Sequence, residues 1–314
     1  MRRDYILGLS GVLNLNKKHG PTSHDIVDEI RKLLPQKTKV GHAGTLDPMA
    51  EGVLPICIGN STKLFSYFLE CKKTYRAVML FGRVTDTQDI TGKLLAESEP
   101  GDISLSQAQE LLSTMLGKTL QVPPMYSALK TNGKRLHELA RSGKEIERDK
   151  RPIEIFNIQA IRIDGPQLNF EVTCSRGTYI RSICHDLGAK HGSGGCLQAL
   201  TRTALGPFDL EDSVSLEDVH RHSHENHLQD FLISPAEALA HLPAIYVRPR
   251  AESRVLNGAI IRFEDVRQVV ELPADTRVRM LNEPGELLAV GKMVHEKKRK
   301  CAQGFVAPEK VFVT

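Results

Sequence analysis

Hydrophobic residues recur along the chain with two different periods, so the sequence predicts a mixture of helices and strands. Apolar residues three and four positions apart predict helices over 23–34, 105–117, 136–141 and 178–190. Continuous or alternating apolar runs predict strands over 52–58, 74–84, 153–163 and 167–174. Gly165 and Pro166 separate the last two runs, so these two strands are expected to form a hairpin.

Polar residues at the ends of the helical runs support these assignments. Ser23 can cap the first helix, and Ser104 with Gln107 three residues later forms a capping-box pattern. Ser234 followed by Pro235 is a further helix start, because proline is favoured at the first helical position.

From about Tyr246 onward, the chain changes to short β-rich runs separated by turn residues. The predicted strands are 266–272, 277–281, 287–294 and 311–313. Several short strands within about 65 residues are typical of a small barrel. A length of 314 residues also favours two domains, and we place the boundary near 245.

Composition excludes several classes of protein. Apolar residues make up 40% and charged residues 25% of the chain, which is ordinary for a folded protein and argues against disorder. No apolar run approaches the length of a membrane span, and the N-terminus lacks the cleavage site of a signal peptide. The six cysteines form no Cys-x-x-Cys pair, so reduced thiols in the cytoplasm are expected.

The net charge of +4 permits a nucleic-acid partner without requiring one. Basic residues gather at 72–73, at 297–300 and, most densely, at 130–151, where Lys130, Arg141 and Lys144 lie. A solvated helix face explains such a run about as well as contact with phosphates does. Because aromatic or turn residues accompany all three clusters, RNA or DNA is a serious candidate.

The segment 41–52 contains three glycines, one proline and the carboxylate of Asp47, which predicts a loop. Because Asp47 precedes Pro48, its backbone is pushed toward an extended conformation and can present the carboxylate in a fixed direction. That carboxylate can serve as a nucleophile, a base or an electrostatic stabiliser. Composition alone favours the simpler alternative, in which Asp47 caps its own turn.

Two further groups of residues suggest chemistry. Tyr179 and Arg181 lie at a predicted strand-to-helix junction, where free backbone amides can bind an anion, although a core position for Tyr179 is the commoner outcome. The histidines at 220, 222, 224 and 227 match no zinc spacing, and a structural or solvent role is expected for them.

Six blocks in order along the chain resemble the bacterial tRNA pseudouridine-55 synthases of the TruB type. The block at 41–48 reads Gly-His-Ala-Gly-Thr-Leu-Asp-Pro. The others lie at 11–17, 52–63, 73–76, 122–130 and 174–181. One departure is visible, because the family usually has Lys-Pro-x-Gly where this chain has Lys17, Lys18, His19 and Gly20.

This resemblance implies an α+β fold with a large, mainly antiparallel sheet and flanking helices. It also implies a catalytic domain over 1–245 with an RNA-clamping insertion at about 125–151, and a PUA-like RNA-binding β-barrel over 246–314. The implied reaction converts uridine 55 in the T loop of tRNA to pseudouridine by base flipping. The reaction needs no cofactor and no metal. The resemblance also implies a cytoplasmic, monomeric enzyme without an obligate protein partner.

The resemblance also implies roles for individual residues. Asp47 would be the catalytic carboxylate, and Arg181 would hold it by an ion pair. Four residues would bind the target nucleotide after it flips out of the stack. His42 would occupy the space that the nucleotide vacates, Tyr75 would stack on the base, and Tyr179 and Leu200 would complete the pocket. RNA would be bound by Lys17, Lys130, Arg141 and Lys144.

The sequence leaves several alternatives open. Asp47 could attack the sugar C1′ or the pyrimidine ring, or it could abstract a sugar proton. A non-catalytic RNA-binding protein with the same fold is a second possibility. A glycoside or nucleoside hydrolase is a third, with Glu51 the nearest second carboxylate.

Overall fold

The computed structural model describes residues 9–127, 129–131, 133–144, 146–224, 227–267, 272–295 and 304–312. The helices are α1 (Ser23–Lys32), α2 (Phe65–Glu70), α3 (Leu105–Ser113), α4 (Leu136–Arg141), α5 (Ile180–His191), α6 (Leu216–His224), α7 (Pro235–Ala238) and α8 (Pro249–Leu256). Short 3₁₀ turns cover Gly59–Leu64, Leu228–Phe231 and Phe263–Asp265.

The strands of the first half of the chain are β1 (Gly11–Lys17), β2 (Val40–His42), β3 (Glu51–Ile58), β4 (Lys73–Phe81), β5 (Arg83–Thr85), β6 (Leu94–Glu97), β7 (Gly117–Gln121), β8 (Lys130–Thr131) and β9 (Lys134–Arg135). Those of the second half are β10 (Arg151–Asp164), β11 (Gln167–Cys174), β12 (Gly195–Leu205), β13 (Phe208–Asp209), β14 (Val214–Ser215), β15 (Leu232–Ile233), β16 (Ala244–Tyr246), β17 (Ile261–Arg262), β18 (Arg277–Leu281), β19 (Leu287–His295) and β20 (Gly304–Val311).

An 11-stranded sheet forms the body of the molecule, with the order β14-β1-β3-β12-β4-β11-β10-β7 along its main path. Neighbours in it are antiparallel except at β1–β14 and β3–β12, which are parallel. The expected hairpin of β10 and β11 is present. With flanking helices, this mixed sheet is the α+β architecture that the sequence predicts.

The central strands are buried on both faces, and their side chains alternate between two hydrophobic cores. On β1, Leu13 and Leu15 enter the larger core while Val12 enters the smaller one. On β3, Leu54 and Ile56 enter the larger core while Val53 enters the smaller one. The helices α1, α3 and α5 contribute residues to the larger core, which therefore lies between the sheet and this helical layer.

Some helix ends differ from the sequence prediction. Thr22, rather than Ser23, caps α1, because the Thr22 side chain accepts from the amide of Asp25 in a capping box. The capping box of Ser104 and Gln107 is present. Tyr179 is the N-cap of α5 and so lies outside the helix, not on its apolar stripe.

The C-terminal part forms a separate five-stranded sheet with the order β16-β18-β19-β20-β17. Strands 277–281 and 287–294 are close to the prediction, whereas the last strand is β20 and not 311–313. In the predicted strand 266–272, residues 268–271 lie outside the described residues, and Val266 makes only an isolated bridge to Val247.

The two sheets share the smaller core, in which Phe68 lies in the same cluster as Val290 and Phe312. Polar contacts reinforce this junction: the Lys63 ammonium donates to the carbonyl of Val311 at 3.0 Å, and Lys310 donates to the carbonyl of Lys63 at 2.9 Å. Within the described residues, every helix is too short or too polar to cross a bilayer.

Candidate active site

Four central strands bring one row of residues together across the large sheet. Lys17 on β1 pairs with Gly52 on β3, Gly52 pairs with Arg202 on β12, and Arg202 pairs with Tyr75 on β4. Directly paired residues point to the same face of a sheet, so the two cations and the tyrosine share one face. Gly52 lacks a side chain, so the backbone of Arg202 can approach it closely: a Cβ at Gly52 would lie 2.2 Å from the Arg202 carbonyl oxygen.

The Asp47 loop, residues 43–50, joins β2 to β3 beside this row. The Lys17 ammonium donates to the carbonyls of Ala50 at 2.7 Å, Lys18 at 3.0 Å and Pro48 at 3.2 Å. The amide of Gly20 also donates to Pro48 at 2.9 Å. The turn without the family's usual proline is thus fastened directly to the loop.

Lys17 itself is fully buried, which changes the role expected for it. Burial lowers the pKa of its ammonium to about 8, although the nearby charges of Glu51 and Asp47 act in the opposite direction. All three ammonium protons can be used by the three carbonyls. The expectation that Lys17 binds RNA is therefore corrected: the side chain supports the loop from inside the protein.

The carboxylate of Asp47 faces the guanidinium of Arg181, as the resemblance implies. The Arg181 Nε atom lies 3.0 Å from Asp47 Oδ2. The two side chains differ in exposure, since 39% of Asp47 and only 5% of Arg181 is accessible. A buried cation thus holds a carboxylate whose other side is open to a ligand.

Arg181 is fixed by further partners that the sequence analysis did not identify. Its terminal nitrogens donate to the carbonyls of Thr87 at 3.0 Å and Tyr126 at 2.9 Å, and one lies 3.5 Å from the carboxylate of Asp89. Asp89 is buried and also accepts hydrogen bonds from Thr91. The signal available in the sequence was a polar turn, Asp86 to Thr91, directly after a predicted strand.

Two tyrosines and a leucine are the residues expected to form the uridine pocket. Tyr75 and Leu200 are buried in the larger core, and burial raises the pKa of the Tyr75 hydroxyl. Burial also raises the pKa of the Tyr179 hydroxyl, partly offset by a hydrogen bond with Ser127. The Asp47 charge acts on both tyrosines, in the direction that keeps them protonated.

The backbone of Tyr179 is clamped by Gln121, a second residue that sequence reasoning missed. The Gln121 side chain accepts from the amide of Tyr179 at 2.8 Å and donates to its carbonyl at 3.0 Å. Gln121 is 4% exposed. The clamp fixes the start of α5, and with it the positions of Tyr179 and Arg181.

His42 ends β2 immediately before the Asp47 loop. It is partly exposed, and its buried Nδ1 atom has no hydrogen-bond partner among the described residues. Burial lowers the pKa of its imidazole, and the charge of Arg202 adds to this effect. His42 lines an open groove of about 480 Å³ together with Arg31, Lys39 and Phe65.

Arg202 is a third residue that the sequence analysis did not single out. It is 1% exposed, and it donates to the carbonyl of Val53 at 2.7 Å and to that of Gly44 at 2.8 Å. The available signal was its spacing, because Arg202 follows Leu200 by two residues on a strand and so shares its face.

The basic insertion forms the hairpin of β8 and β9 followed by α4. Lys144 is exposed just after this helix. The side chains of Lys130 and Arg141 lie outside the described residues, as does the basic cluster 297–300.

No group of histidine, cysteine or acidic side chains among the described residues could hold a metal ion. His222 packs edge-on against Phe231, with ring centroids 4.5 Å apart, and His227 contacts Asp230 at 3.1 Å. The side chain of His224 is outside the described residues. His222 and His227 thus contact residues close to them in the sequence, whereas His220 lies 3.9 Å from Glu29 on α1.

Two models of known protein families match consecutive parts of the chain. A family model described as the N-terminal domain of the TruB family pseudouridylate synthases matches residues 31–180. A second model, the C-terminal domain of tRNA pseudouridylate synthase B, matches residues 181–240.

Curated relatives of this chain are named tRNA pseudouridine synthase B. The protein of Geobacter sulfurreducens is 41% identical over 284 residues, which cover 90% of this chain and 93% of that one. The protein of Clostridium tetani is 39% identical over 288 residues, covering 92% and 97% of the two chains.

Two solved structures are similar over nearly the whole chain. A chain of an H/ACA RNP bound to a substrate RNA containing 2′-deoxyuridine matches with a TM-score of 0.76 and 26% identity, over 100% of this chain and 88% of that one. A chain of a Cbf5–Nop10–Gar1 complex matches with a TM-score of 0.75 and 28% identity, over 96% and 85%.

Proposed function

The chain belongs to the TruB family of tRNA pseudouridine synthases, and on that premise we propose that it isomerises uridine 55 in the T loop of tRNA. The reaction breaks the bond between the sugar C1′ and the base N1, then joins C1′ to C5 of the same base. No atom is added and no redox change occurs. The exchange therefore depends on a reactive side chain and a pocket that holds the detached base.

The target uridine must leave the base stack before its reacting atoms become accessible. We place the everted base against Tyr75, with Tyr179 and Leu200 completing the pocket, because the Asp47 charge acts on both tyrosines and Leu200 lies in the same core cluster as Tyr75. A base stacked on an aromatic side chain contributes about 1–3 kcal/mol to RNA binding. His42, at the edge of the same loop, would occupy the space that the nucleotide leaves.

The observation that carries the proposal is the ion pair of Asp47 with Arg181. The buried guanidinium fixes the direction of the carboxylate at 3.0 Å, while 39% of the aspartate stays accessible to a ligand. A carboxylate held this way can attack C1′, add to the pyrimidine ring or remove a sugar proton. Arg181 would act through Asp47 in each of these three routes.

Tritium release from tRNA carrying 5-³H-uridine tests the assignment, because the C5 hydrogen is lost when C1′ joins C5. Asp47→Asn should reduce release to background while tRNA binding persists. Asp164→Asn, at an aspartate that is 67% exposed and lies 3.6 Å from Arg162, is the matched control and should keep full turnover. Near-normal turnover of Asp47→Asn would remove Asp47 from the mechanism, and free uracil in the product would indicate a hydrolase.

The rest of the molecule provides surfaces for the RNA in this proposal. The insertion at about 125–151, carrying Lys130, Arg141 and Lys144, would clamp the T stem-loop as part of a catalytic domain over 1–245. The C-terminal sheet would belong to a PUA-like RNA-binding domain over 246–314. We expect a cytoplasmic enzyme that works as a monomer.

A further inference from the structure

Arg202 is a buried cation that has no role in the mechanism proposed above. Its side chain is 1% exposed, and its guanidinium donates to the carbonyls of Val53 and Gly44. Among the described residues, no carboxylate lies within ion-pair distance of it. A guanidinium remains protonated in proteins, so a permanent positive charge is held inside the molecule.

The surroundings of this charge are unusual. Burying a charge without a counter-charge is costly, and buried arginines are normally paired with carboxylates. The charge of Arg202 also acts on two further cations, Lys17 and Lys73, whose ammonium groups are likewise buried against backbone carbonyls. Three buried cations therefore lie on the paired strands that carry Tyr75 and its neighbours, although the carboxylates of Asp47 and Glu51 are close to Lys17.

Tyr75 is the direct neighbour of Arg202 in the row across the sheet, and the positive charge of the guanidinium acts to lower the pKa of the Tyr75 hydroxyl, against the larger effect of burial. Through Gly44, the same guanidinium fixes the first part of the Asp47 loop.

All three routes open to Asp47 create negative charge on the base. If Asp47 attacks C1′ or removes a sugar proton, the C1′–N1 bond breaks and its electron pair stays on N1. In the second case, the proton moves to Asp47 and a C1′–C2′ double bond forms. If Asp47 adds to the ring instead, the displaced electron pair moves to the ring carbonyl.

We propose that Arg202 is a positioning residue for this step: it holds the Asp47 loop in place through Gly44, and its unpaired charge favours negative charge on the base stacked against Tyr75. The inference rests on the proposed function and deepens it. A preorganised cation in a buried site stabilises charge that develops in a transition state, without reorganising as the reaction proceeds.

The first test compares two variants under single-turnover conditions with tRNA. Arg202→Met removes the charge and the hydrogen bonds, and the rate should fall about 10²-fold or more. Arg202→Lys keeps the charge and should recover part of that loss. The dissociation constant for tRNA should stay near the wild-type value for both, because the side chain is inside the protein.

Arg279→Met is the matched control. Arg279 likewise donates through Nε and a terminal nitrogen to two backbone carbonyls, those of Leu242 and Ala236, but it lies at the C-terminal sheet. Losing an arginine with this bonding pattern should leave the single-turnover rate unchanged there. If Arg279→Met lost as much of its single-turnover rate as Arg202→Met does, the effect of Arg202→Met would be explained by packing alone.

The deciding measurement uses tRNA with 5-fluorouridine at position 55, followed as loss of the N-linked nucleoside by mass spectrometry. Fluorine withdraws electrons and stabilises the base anion, so the reaction rate should depend less on the charge of Arg202. The rate ratio of wild type to Arg202→Met should be smaller with 5-fluorouridine than with uridine. Equal ratios for the two bases would overturn the electrostatic role.

The wild-type protein in the same experiment separates the two proposals. If it isomerises uridine 55 and the two ratios are equal, or if Arg202→Met keeps the wild-type rate, the inference about Arg202 fails while the proposed function stands. If the wild-type protein leaves uridine 55 unchanged, the proposed function fails and the inference about Arg202 fails with it.

Discussion

Gly52 is the position where a single added methyl group should disturb the site most directly. Its backbone φ is +99°, and a Cβ atom placed there would lie 2.2 Å from the carbonyl oxygen of Arg202, with the Arg202 nitrogen and carbonyl carbon at 2.9 and 3.0 Å. These atoms belong to the backbone of β12 and cannot rotate away. The parallel pairing of β3 with β12 must therefore open in Gly52→Ala.

Two costs can be estimated for this variant. A side chain in the left-handed region of φ costs about 1–2 kcal/mol, and forcing an extra carbon into a packed interior costs about 1–3 kcal/mol. Together they predict a loss of about 2–5 kcal/mol in the free energy of unfolding. Relieving the clash needs about 1 Å of movement, enough to reduce a rate about 10²-fold when it displaces catalytic groups.

Urea unfolding and single-turnover isomerisation of tRNA measure the two effects separately. Gly285→Ala provides the control, since Gly285 has a φ of +95° but a Cβ there would have no neighbour within 4 Å. It should lose only about 1–2 kcal/mol and keep its activity. A Gly52→Ala protein that is no less stable and no less active than Gly285→Ala would contradict the predicted clash with the Arg202 backbone.

Two further variants probe other parts of the site. Gln121→Ala removes both hydrogen bonds to the Tyr179 backbone, so it should lower the free energy of unfolding by about 1–3 kcal/mol and also lower the single-turnover rate. Gln109→Ala loses similar bonds to β10 and should lower the free energy of unfolding alone. Equal single-turnover rates for the two variants would contradict the role of Gln121 as a clamp. Replacing Lys130, Arg141 and Lys144 with glutamine tests the RNA clamp in filter-binding titrations at several salt concentrations. Removing three phosphate contacts should flatten the log–log slope of tRNA affinity against salt concentration by about 2. An unchanged slope would contradict the clamp.

The features that the sequence predicted best are those encoded over short distances along the chain. The hairpin of β10 and β11 follows from two alternating runs and a Gly-Pro turn, and the capping box of Ser104 follows from two residues three positions apart. The Asp47 loop follows from its own glycines and proline. Errors of one or two residues, such as Thr22 in place of Ser23 as the cap, arise because neighbouring hydroxyl side chains carry the same signal.

The role of Lys17 shows where this kind of inference fails. A lysine in a matching block suggests a contact with phosphate, and nothing local reveals that its ammonium is enclosed by Pro48 and Ala50, about 30 residues further along. Whether a cation faces solvent or a carbonyl depends on which segment folds over it.

The order of residues along the chain was thus enough to predict the family, the two β-rich regions and the candidate carboxylate, Asp47. Only the tertiary structure decided which residues support it. Lys17, Gly52, Arg202 and Tyr75 lie on four strands far apart in the chain, and they meet because of strand order and register. Register depends on the packing of two cores at once, since a shift of one residue would turn each side chain to the opposite face of the sheet.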